Sequence, residues 1–358
     1  MFSLTIEPIG QTIPIEPGQT VLDACLRSGV WLPHACCHGL CATCKVQVTD
    51  GEVDHGEASG FALMDFERDN GQCLACCATA QSDLTIEADI EEDADALGLP
   101  LADYEAEVVE TRALTPTIRG IWLRPKHGGE VAFQAGQYLN LHVPGCDQPR
   151  AFSLANRPGG DLVELHIRRV EGGRATTWLH DNLSVGDKLR FSAPYGRFFV
   201  RKSAQSPMLL LAGGSGLSSP RAMIHDLLAS GETLPITLVQ GARNRAELYY
   251  DDEFRALAQA HPNFRYVPAL SDEPADSGWA GARGYVHDVL RDLYASGAAD
   301  GTADFRGHKA YLCGPPPMIE ACIRTLMQGR LFEADIHTEK FLSAADAQNS
   351  ARSPLFKI

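Results

Sequence analysis

Cys36-Cys37-His38-Gly39-Leu40-Cys41-Ala42-Thr43-Cys44 is the stretch on which the reading of this chain turns. Cys36, Cys41 and Cys44 stand at C-x4-C-x2-C, the spacing at which a single loop supplies three thiolates to a [2Fe–2S] cluster. Two irons and two sulfides need a fourth, and Gln72-Cys73-Leu74-Ala75-Cys76-Cys77 supplies it, with Cys76 lying 32 positions beyond Cys44, far enough for a hairpin to return to the second iron. A zinc site would favour paired C-x-x-C hooks instead. Gly39 has a physical reason to be glycine, because backbone N–H groups must come close to the inorganic sulfurs and a Cβ would obstruct them. Only Cys36 leaves four residues before Cys41, so Cys37 reads as a small buried neighbour. Cys76 is chosen as the fourth ligand from its Leu-Ala-Cys context, and Cys77 stays open as the alternative. His38 reads as a neighbour of the metal site, not a ligand.

At 358 residues, 44% of them apolar, the chain has room for two or three packed domains. Its longest apolar runs, such as 208–212, fall far short of the ~20 residues of a membrane helix, and the N-terminus lacks a basic segment followed by a hydrophobic stretch. An odd count of 11 cysteines, with no export signal, points to a reducing cytosol, where Cys25, Cys146 and Cys322 would be inert. Charge is unevenly placed. Residues 1–100 hold 17 Asp and Glu against 3 Lys and Arg, so nearly all of the net charge of -15 belongs to the first domain. That surface either serves solubility or is a docking face for a basic protein, and it disfavours nucleic acid as a partner.

Alternating Phe2, Leu4, Ile6 and Ile13, Ile15 about Gly10-Gln11 predict a hairpin, followed by a helix capped by Thr20 and carrying Val21, Leu22, Cys25 and Leu26. Short strands at 46–48 and 84–86 complete a small sheet over that helix. The acidic run 91–95 with Gly98 and Pro100 sets a boundary near 98. Strand patterns at 107–109, 118–123, 137–143 and 163–170 then suggest an antiparallel β-barrel over 99–204. From Pro207 the rhythm becomes strand, loop, helix, with strands at 208–211, 236–239 and 266–270 and helices at 221–230 and 252–260. Such alternation predicts a parallel α/β sheet over 205–342, and 343–358 is left as a polar tail. The expected fold is therefore a multidomain chain of α+β and α/β parts.

Three further motifs follow in order. Arg150-Ala151-Phe152-Ser153 closes a barrel strand. Gly172-Gly173-Arg174-Ala175-Thr176-Thr177 opens a short helix, whose N-terminus suits an anion. Ala212-Gly213-Gly214-Ser215-Gly216-Leu217-Ser218-Ser219-Pro220 follows a strand and opens a helix, as a nucleotide-phosphate loop does, yet Ser219 stands where a dinucleotide fingerprint would have its third glycine. Together with Pro194 to Phe199 and with Cys313-Gly314-Pro315-Pro316-Pro317-Met318, these motifs resemble the ferredoxin–NADP reductase superfamily. The first domain is similar to a plant-type, β-grasp ferredoxin.

The resemblance implies that Arg150 and the Thr176 end, with Gly173, bind the FAD pyrophosphate, that Phe152 packs on the isoalloxazine, and that Ser153 sits near the flavin N5. His166 and Arg168 on the 163–170 strand are further candidates for FAD. It implies that Gly213, Gly214, Ser215 and Gly216 cradle the pyridine nucleotide with Gly314, Pro315 and Met318, that Cys313 positions the nicotinamide, and that Glu339 and Phe341 lie over the flavin. Ser153, Cys313 and Glu339 are thus the catalytic candidates. Arg243 in Gly241-Ala242-Arg243 offers a possible clamp for a 2′-phosphate, but that run is similar to NADH-using oxygenase reductases and NADH is expected.

Module order, with the ferredoxin first, resembles the reductases of soluble diiron monooxygenases and benzoate-type dioxygenases. Trp31-Leu32-Pro33, Phe61 to Asp65 and the terminal Ser353-Pro354-Leu355-Phe356-Lys357-Ile358 look most like reductase components of bacterial multicomponent phenol hydroxylases. Cys37 departs from that pattern, since glycine is more usual there, which bears on the oxygen sensitivity of the loop. The implied activity is transfer of electrons from NADH through FAD and the [2Fe–2S] cluster to a separate cytoplasmic oxygenase, with no membrane or nucleic acid involved. Alternatives are a benzoate-type dioxygenase reductase, a quinone-reductase subunit and a non-catalytic electron carrier.

Overall fold

The computed structural model describes residues 1–34, 37, 39–90, 93–126, 129–295 and 303–341, so Cys36, His38 and the expected tail lie outside the described residues. Two compact units divide the chain, Met1–Ala102 and a second beginning at Asp103.

In the first unit the alternation of strand Phe2–Glu7 buries Leu4 and Ile6 completely, and the hairpin pairs Phe2 with Ile15 and Leu4 with Ile13. Strand Leu84–Glu87 joins Phe2–Glu7 in parallel, and Lys45–Asp50 and Gln72–Leu74 extend the sheet antiparallel. Helix Val21–Arg27 starts where predicted, because the Thr20 hydroxyl accepts the Asp23 N–H at 3.2 Å and so satisfies a donor that the helix cannot. It buries Val21, Leu22, Cys25 and Leu26. By contrast, the five-residue helix Asp65–Asp69 buries none of its residues.

The second unit holds two sheets. One is antiparallel, with spatial order Arg150–Ser153, Tyr138–His142, Lys188–Tyr195, Ala102–Ala113, Ile118–Pro125 and Val163–Arg168. Its outer strands meet where Leu154 bridges Leu165, so the sheet nearly closes into a barrel around Leu123, Leu139, Leu165 and Phe191. The other sheet is parallel throughout, in the order Ala282–Arg283, Phe264–Leu270, Ile236–Ala242, Met208–Gly213, Lys309–Gly314 and Ile336–Lys340. Along Met208–Gly213, Leu210 and Ala212 pack with barrel residues Ile118, Ala135 and Phe198, while Leu209 and Leu211 face the opposite layer. Burial on both faces is why this strand reads as an unbroken apolar run.

The chain leaves Met208–Gly213 toward one edge of this sheet and returns on its other side at Lys309–Gly314. The loops after those two strands therefore flank the crevice where the order reverses, the place at which open α/β sheets bind ligands. Two local departures matter. The helix expected at 221–230 runs Ser218–Ala229, because the 3-10 turn Gly214–Leu217 leads straight into it and Pro220 falls in the first turn, where no N–H is needed. The segment with Glu339, for which no strand was expected, forms the outer strand Ile336–Lys340.

Candidate functional site

The cluster loop bends through conformations that ordinary side chains avoid. Gly39 has φ +72°, and a Cβ there would stand 2.7 Å from the Cys77 sulfur and 3.2 Å from the Ala58 Cα. Cys37 adopts φ +56°, in the left-handed region, and it is half-buried rather than enclosed. Its backbone thus occupies a conformation suited to glycine, the physical reason why glycine fits that position. Cys44 is buried, and its thiol is pushed far up, first by a hydrogen bond with Cys76, then by burial, with Cys41 adding to it. Cys44 and Cys76 therefore meet, with Cys41 within electrostatic reach of Cys44, while Cys77 fills the space under Gly39 with its sulfur 3.7 Å from that of Cys76. A Cys44 thiol whose ionisation its neighbouring cysteines oppose fits iron, whose positive charge makes neighbouring thiolates tenable. Cys25 and Cys322 are sealed in cores, burial pushing each thiol up to about 12, which makes them inert.

Ser153, Cys313 and Glu339, far apart in sequence, come together in the second unit. The Ser153 hydroxyl donates to Oε2 of Glu339 at 3.1 Å, the Ser219 hydroxyl donates to the same oxygen at 2.9 Å, and the Cys313 thiol lies 3.7 Å from it. Parallel pairing places Glu339 beside Cys313 and the Phe341 N–H on the Gly314 carbonyl at 3.1 Å. Burial raises the Glu339 carboxyl to about 7, against the lowering effect of its hydroxyl and thiol donors. Burial also pushes the Cys313 thiol well above its ordinary value, Glu339 adding to it. Cys313 is therefore a neutral packing and hydrogen-bonding group, not a nucleophile. Ser219 had been noticed only as the residue in place of a third glycine.

Glycines bring the crevice loops into contact. A Cβ on Gly216 would fall 2.4 Å from the Cys313 carbonyl oxygen, and one on Gly213 would fall 2.5 Å from the Met318 sulfur and 3.2 Å from Pro315 Cδ. Gly214, at φ +57°, lies against the Arg168 guanidinium. Ser215 is buried, its carbonyl held by the Ser218 hydroxyl at 2.9 Å. Helix Arg174–Asp181 begins at Gly173 with no side-chain cap, so its first N–H groups are available to a phosphate. Thr176 closes the preceding turn by accepting the Val170 N–H at 3.1 Å. Arg150 is exposed and tied to the Gln148 and Pro149 carbonyls. Phe152 is half-buried against the barrel core. These uncapped N-termini and Cβ-free approaches fit two phosphate-bearing cofactors. Arg243 is exposed and paired with Glu247 at 3.3 Å, and Glu247 in turn accepts the Thr115 and Thr117 hydroxyls.

His166 lies elsewhere. Its side chain is wholly buried, with Nε2 2.9 Å from Glu164 Oε1 and Nδ1 3.2 Å from the Tyr249 hydroxyl. Both nitrogens are thus taken within the protein. Glu164 also accepts from Arg221 at 2.9 Å and from the Tyr250 hydroxyl, and Arg221 grips both oxygens of Glu253 at 2.8 and 3.1 Å. Burial would raise the Glu164 carboxyl, but His166, Arg221 and Tyr250 hold it down to about 2. Burial lowers the His166 imidazole, against the raising effect of Glu164. Tyr250 takes the left-handed conformation at φ +59° with the Arg221 guanidinium 4.3 Å above its ring. The missed signal was Glu164 itself, a carboxylate within the fully buried run Val163-Glu164-Leu165-His166, which required buried partners.

A cluster-bearing unit joined to a flavin barrel and a pyridine-nucleotide sheet defines an iron–sulfur flavoprotein reductase. Residues 4–81 match the 2Fe-2S iron-sulfur cluster binding domain family, 105–200 the oxidoreductase FAD-binding domain and 210–324 the oxidoreductase NAD-binding domain. The chain is 58% identical to the phenol 2-monooxygenase reductase component DmpP of Pseudomonas sp. (strain CF600) and 56% identical to the phenol hydroxylase P5 protein of Acinetobacter pittii (strain PHEA-2), covering 99% of both partners in each case. Among solved structures, the Amycolatopsis reductase GcoB superposes with a TM-score of 0.84 at 38% identity, over 96% of this chain and 100% of that one. The chain belongs to the family of phenol hydroxylase reductase components. It is an oxidoreductase that uses NADH, FAD and a [2Fe–2S] cluster to pass electrons. No helix among the described residues is long and apolar enough to cross a membrane.

Proposed function

We propose that this chain is the reductase of a phenol-type aromatic monooxygenase, working in the cytoplasm and delivering electrons to a separate oxygenase component. The observation that carries the reading is the meeting of Ser153, Ser219, Cys313 and Glu339 on one carboxylate oxygen at the crevice between barrel and nucleotide sheet. Modules at 1–98, 99–204 and 205–342, with 343–358 as a tail, divide the work.

When bound, FAD accepts hydride from NADH and releases electrons singly to the cluster, chemistry that side chains cannot supply. What the residues do is narrower. Cys36, Cys41, Cys44 and Cys76 hold iron. Arg150, Gly173, Thr176 and Arg168 meet the FAD phosphates, with Phe152 and Phe341 against its ring. Gly213 to Gly216, with Gly314, Pro315 and Met318, admit the nucleotide, and the pairing of Arg243 with Glu247 supports NADH over NADPH, because the guanidinium is already engaged. Ser153 and Cys313 line the hydride path, and the Glu339 carboxyl sets its local charge. His166 acts through Tyr249, whose hydroxyl stands between His166 Nδ1 at 3.2 Å and the Gly214 carbonyl at 3.3 Å.

Anaerobic titration with NADH should bleach both flavin and cluster, and low-temperature EPR of the reduced protein should show a two-iron signal. Cys76→Ser should lose that signal and Cys77→Ser should keep it. Phenol should be hydroxylated only when an oxygenase component is added, so product formed by this chain alone would contradict the reading.

A further inference from the structure

Beside the cluster loop the first unit exposes large apolar side chains that its own core does not use. Phe61 is 96% exposed, Leu40 63%, Phe66 59% and Met64 50%. They belong to one region. The Ser59 N–H donates to the Gly39 carbonyl at 3.1 Å, the Phe61 N–H donates to the Ser59 hydroxyl at 3.3 Å, and a Cβ on Gly39 would fall 3.2 Å from the Ala58 Cα. Met64 and Phe66 follow on the short helix that buries nothing. Glu57, Asp65 and Asp69 are exposed around them.

All three basic side chains of the first 100 residues are engaged with groups of the unit itself. Arg27 pairs with Asp23 at 2.9 Å, Lys45 pairs with Glu67 at 2.6 Å, and Arg68 donates to the carbonyls of Ala58 at 2.9 Å and Leu63 at 3.4 Å. The last two lie under the patch and fasten the Asp65–Asp69 helix in place. What faces outward is an apolar centre with an acidic rim. Exposed aromatic anchors surrounded by charge of one sign are the make-up of a protein-binding surface, the aromatics giving affinity and the rim giving orientation and encounter rate.

We propose that Leu40, Phe61, Met64 and Phe66 form the surface on which the oxygenase component docks to collect electrons from the neighbouring cluster, and that its counterpart is an apolar pocket edged with arginine or lysine. The inference rests on the function proposed above and names the partner face of that same relay.

The test uses full-length holoprotein with a purified phenol 2-monooxygenase oxygenase component. Phe61→Ala should raise the KM for the oxygenase about tenfold or more with little change in kcat, while Phe61→Leu stays near wild type. NADH-driven bleaching of flavin and cluster without oxygenase should be unchanged in both. The Glu57→Lys/Asp65→Lys pair should raise KM and flatten the fall of kcat/KM with added salt. An unaltered KM in Phe61→Ala/Met64→Ala overturns the proposal. So does slowed cluster reduction in the absence of oxygenase, which would assign the patch to this chain's own flavin, and so does loss of a dimer on substitution, which would assign it to a second copy. Wild-type protein that reduces its cluster but supports no hydroxylation would sink the proposed function itself, a result separable from a working wild type beside an unaffected variant.

Discussion

Two carboxylates in the same unit, Glu164 buried and Glu339 half-buried, meet opposite fates. Glu164 is surrounded by His166, Arg221 and Tyr250 and its carboxyl is held down to about 2, whereas Glu339, among the described residues, is met by two hydroxyls and a thiol and is raised to about 7. Desolvation acts on both; only the first has a cation to answer it. The difference separates a structural group from a chemical one. A carboxylate fixed as an anion joins strand Val163–Arg168 to helix Ser218–Ala229, and one poised near neutrality can change charge beside a reaction.

The harshest challenge to this contrast is removal of the guanidinium. Arg221→Met leaves Glu164 buried without its cation and should destabilise the flavin and nucleotide unit by about 3–5 kcal/mol, read as a fall in the thermal or urea midpoint. Arg221→Met combined with Glu164→Leu should recover much of that loss, since no uncompensated charge remains. If the single variant unfolds at the wild-type midpoint, Glu164 does not depend on the pair.

Glu339→Gln tests the other half. Oxidation of NADH leaves a positive nicotinamide, which a carboxylate nearby favours, so flavin reduction in the wild type should quicken as pH rises through about 7. The amide removes that limb and should slow the step about tenfold at pH 8, equivalent to ~1.4 kcal/mol, with little effect at pH 6. Stopped-flow reduction across that range decides the point. Stability follows the same sign. The folded-state value lies above the ordinary 4.5, so the wild type binds a proton more tightly when folded and loses stability as pH climbs from about 4.5 through 7. Glu339→Gln should flatten this slope, and a slope retained in the variant would mean that another group carries it.

How much of this was readable beforehand depends on whether a feature is local. The hairpin, the Thr20 cap and the strands around 84–86 and 208–211 rest on periodicity and on single capping groups, which sequence displays directly. Gly213-Gly214-Ser215-Gly216 was recognisable as a loop, but the reason Gly216 has no side chain, the Cys313 carbonyl, lies nearly a hundred residues away. Glu339 sits in a polar run, His337-Thr338-Glu339-Lys340, that only the family resemblance marked as a candidate, and parallel pairing with Cys313 is what brings it to the site. Ser219 was marked only by standing where a third glycine would be, with nothing to tie it to Glu339. His166 was named from its strand and turned out to be enclosed, because neither Tyr249 nor Arg221 announces its partner from 83 and 57 positions away along the chain.

Finer probes distinguish the two carboxylates further. Tyr249→Phe deletes a hydroxyl between His166 Nδ1 and the Gly214 carbonyl. Leaving that buried nitrogen without its partner should cost about 1–2 kcal/mol and raise the KM for NADH through the loosened loop, with the pH limb of Glu339 unmoved. Ser219→Ala should do the reverse. One of the two hydroxyl donors on Glu339 Oε2 disappears while Ser153 remains, so the charged form loses support and the limb should move upward, by less than about one pH unit for a single neutral donor. Stability should hardly change, because the methyl fills a fully buried position and the carboxyl can keep its proton. A limb that stays in place in Ser219→Ala would mean that burial alone sets Glu339 and that the hydroxyls only orient it. A downward shift would put the Ser219 proton on the Cys313 sulfur rather than on the carboxylate.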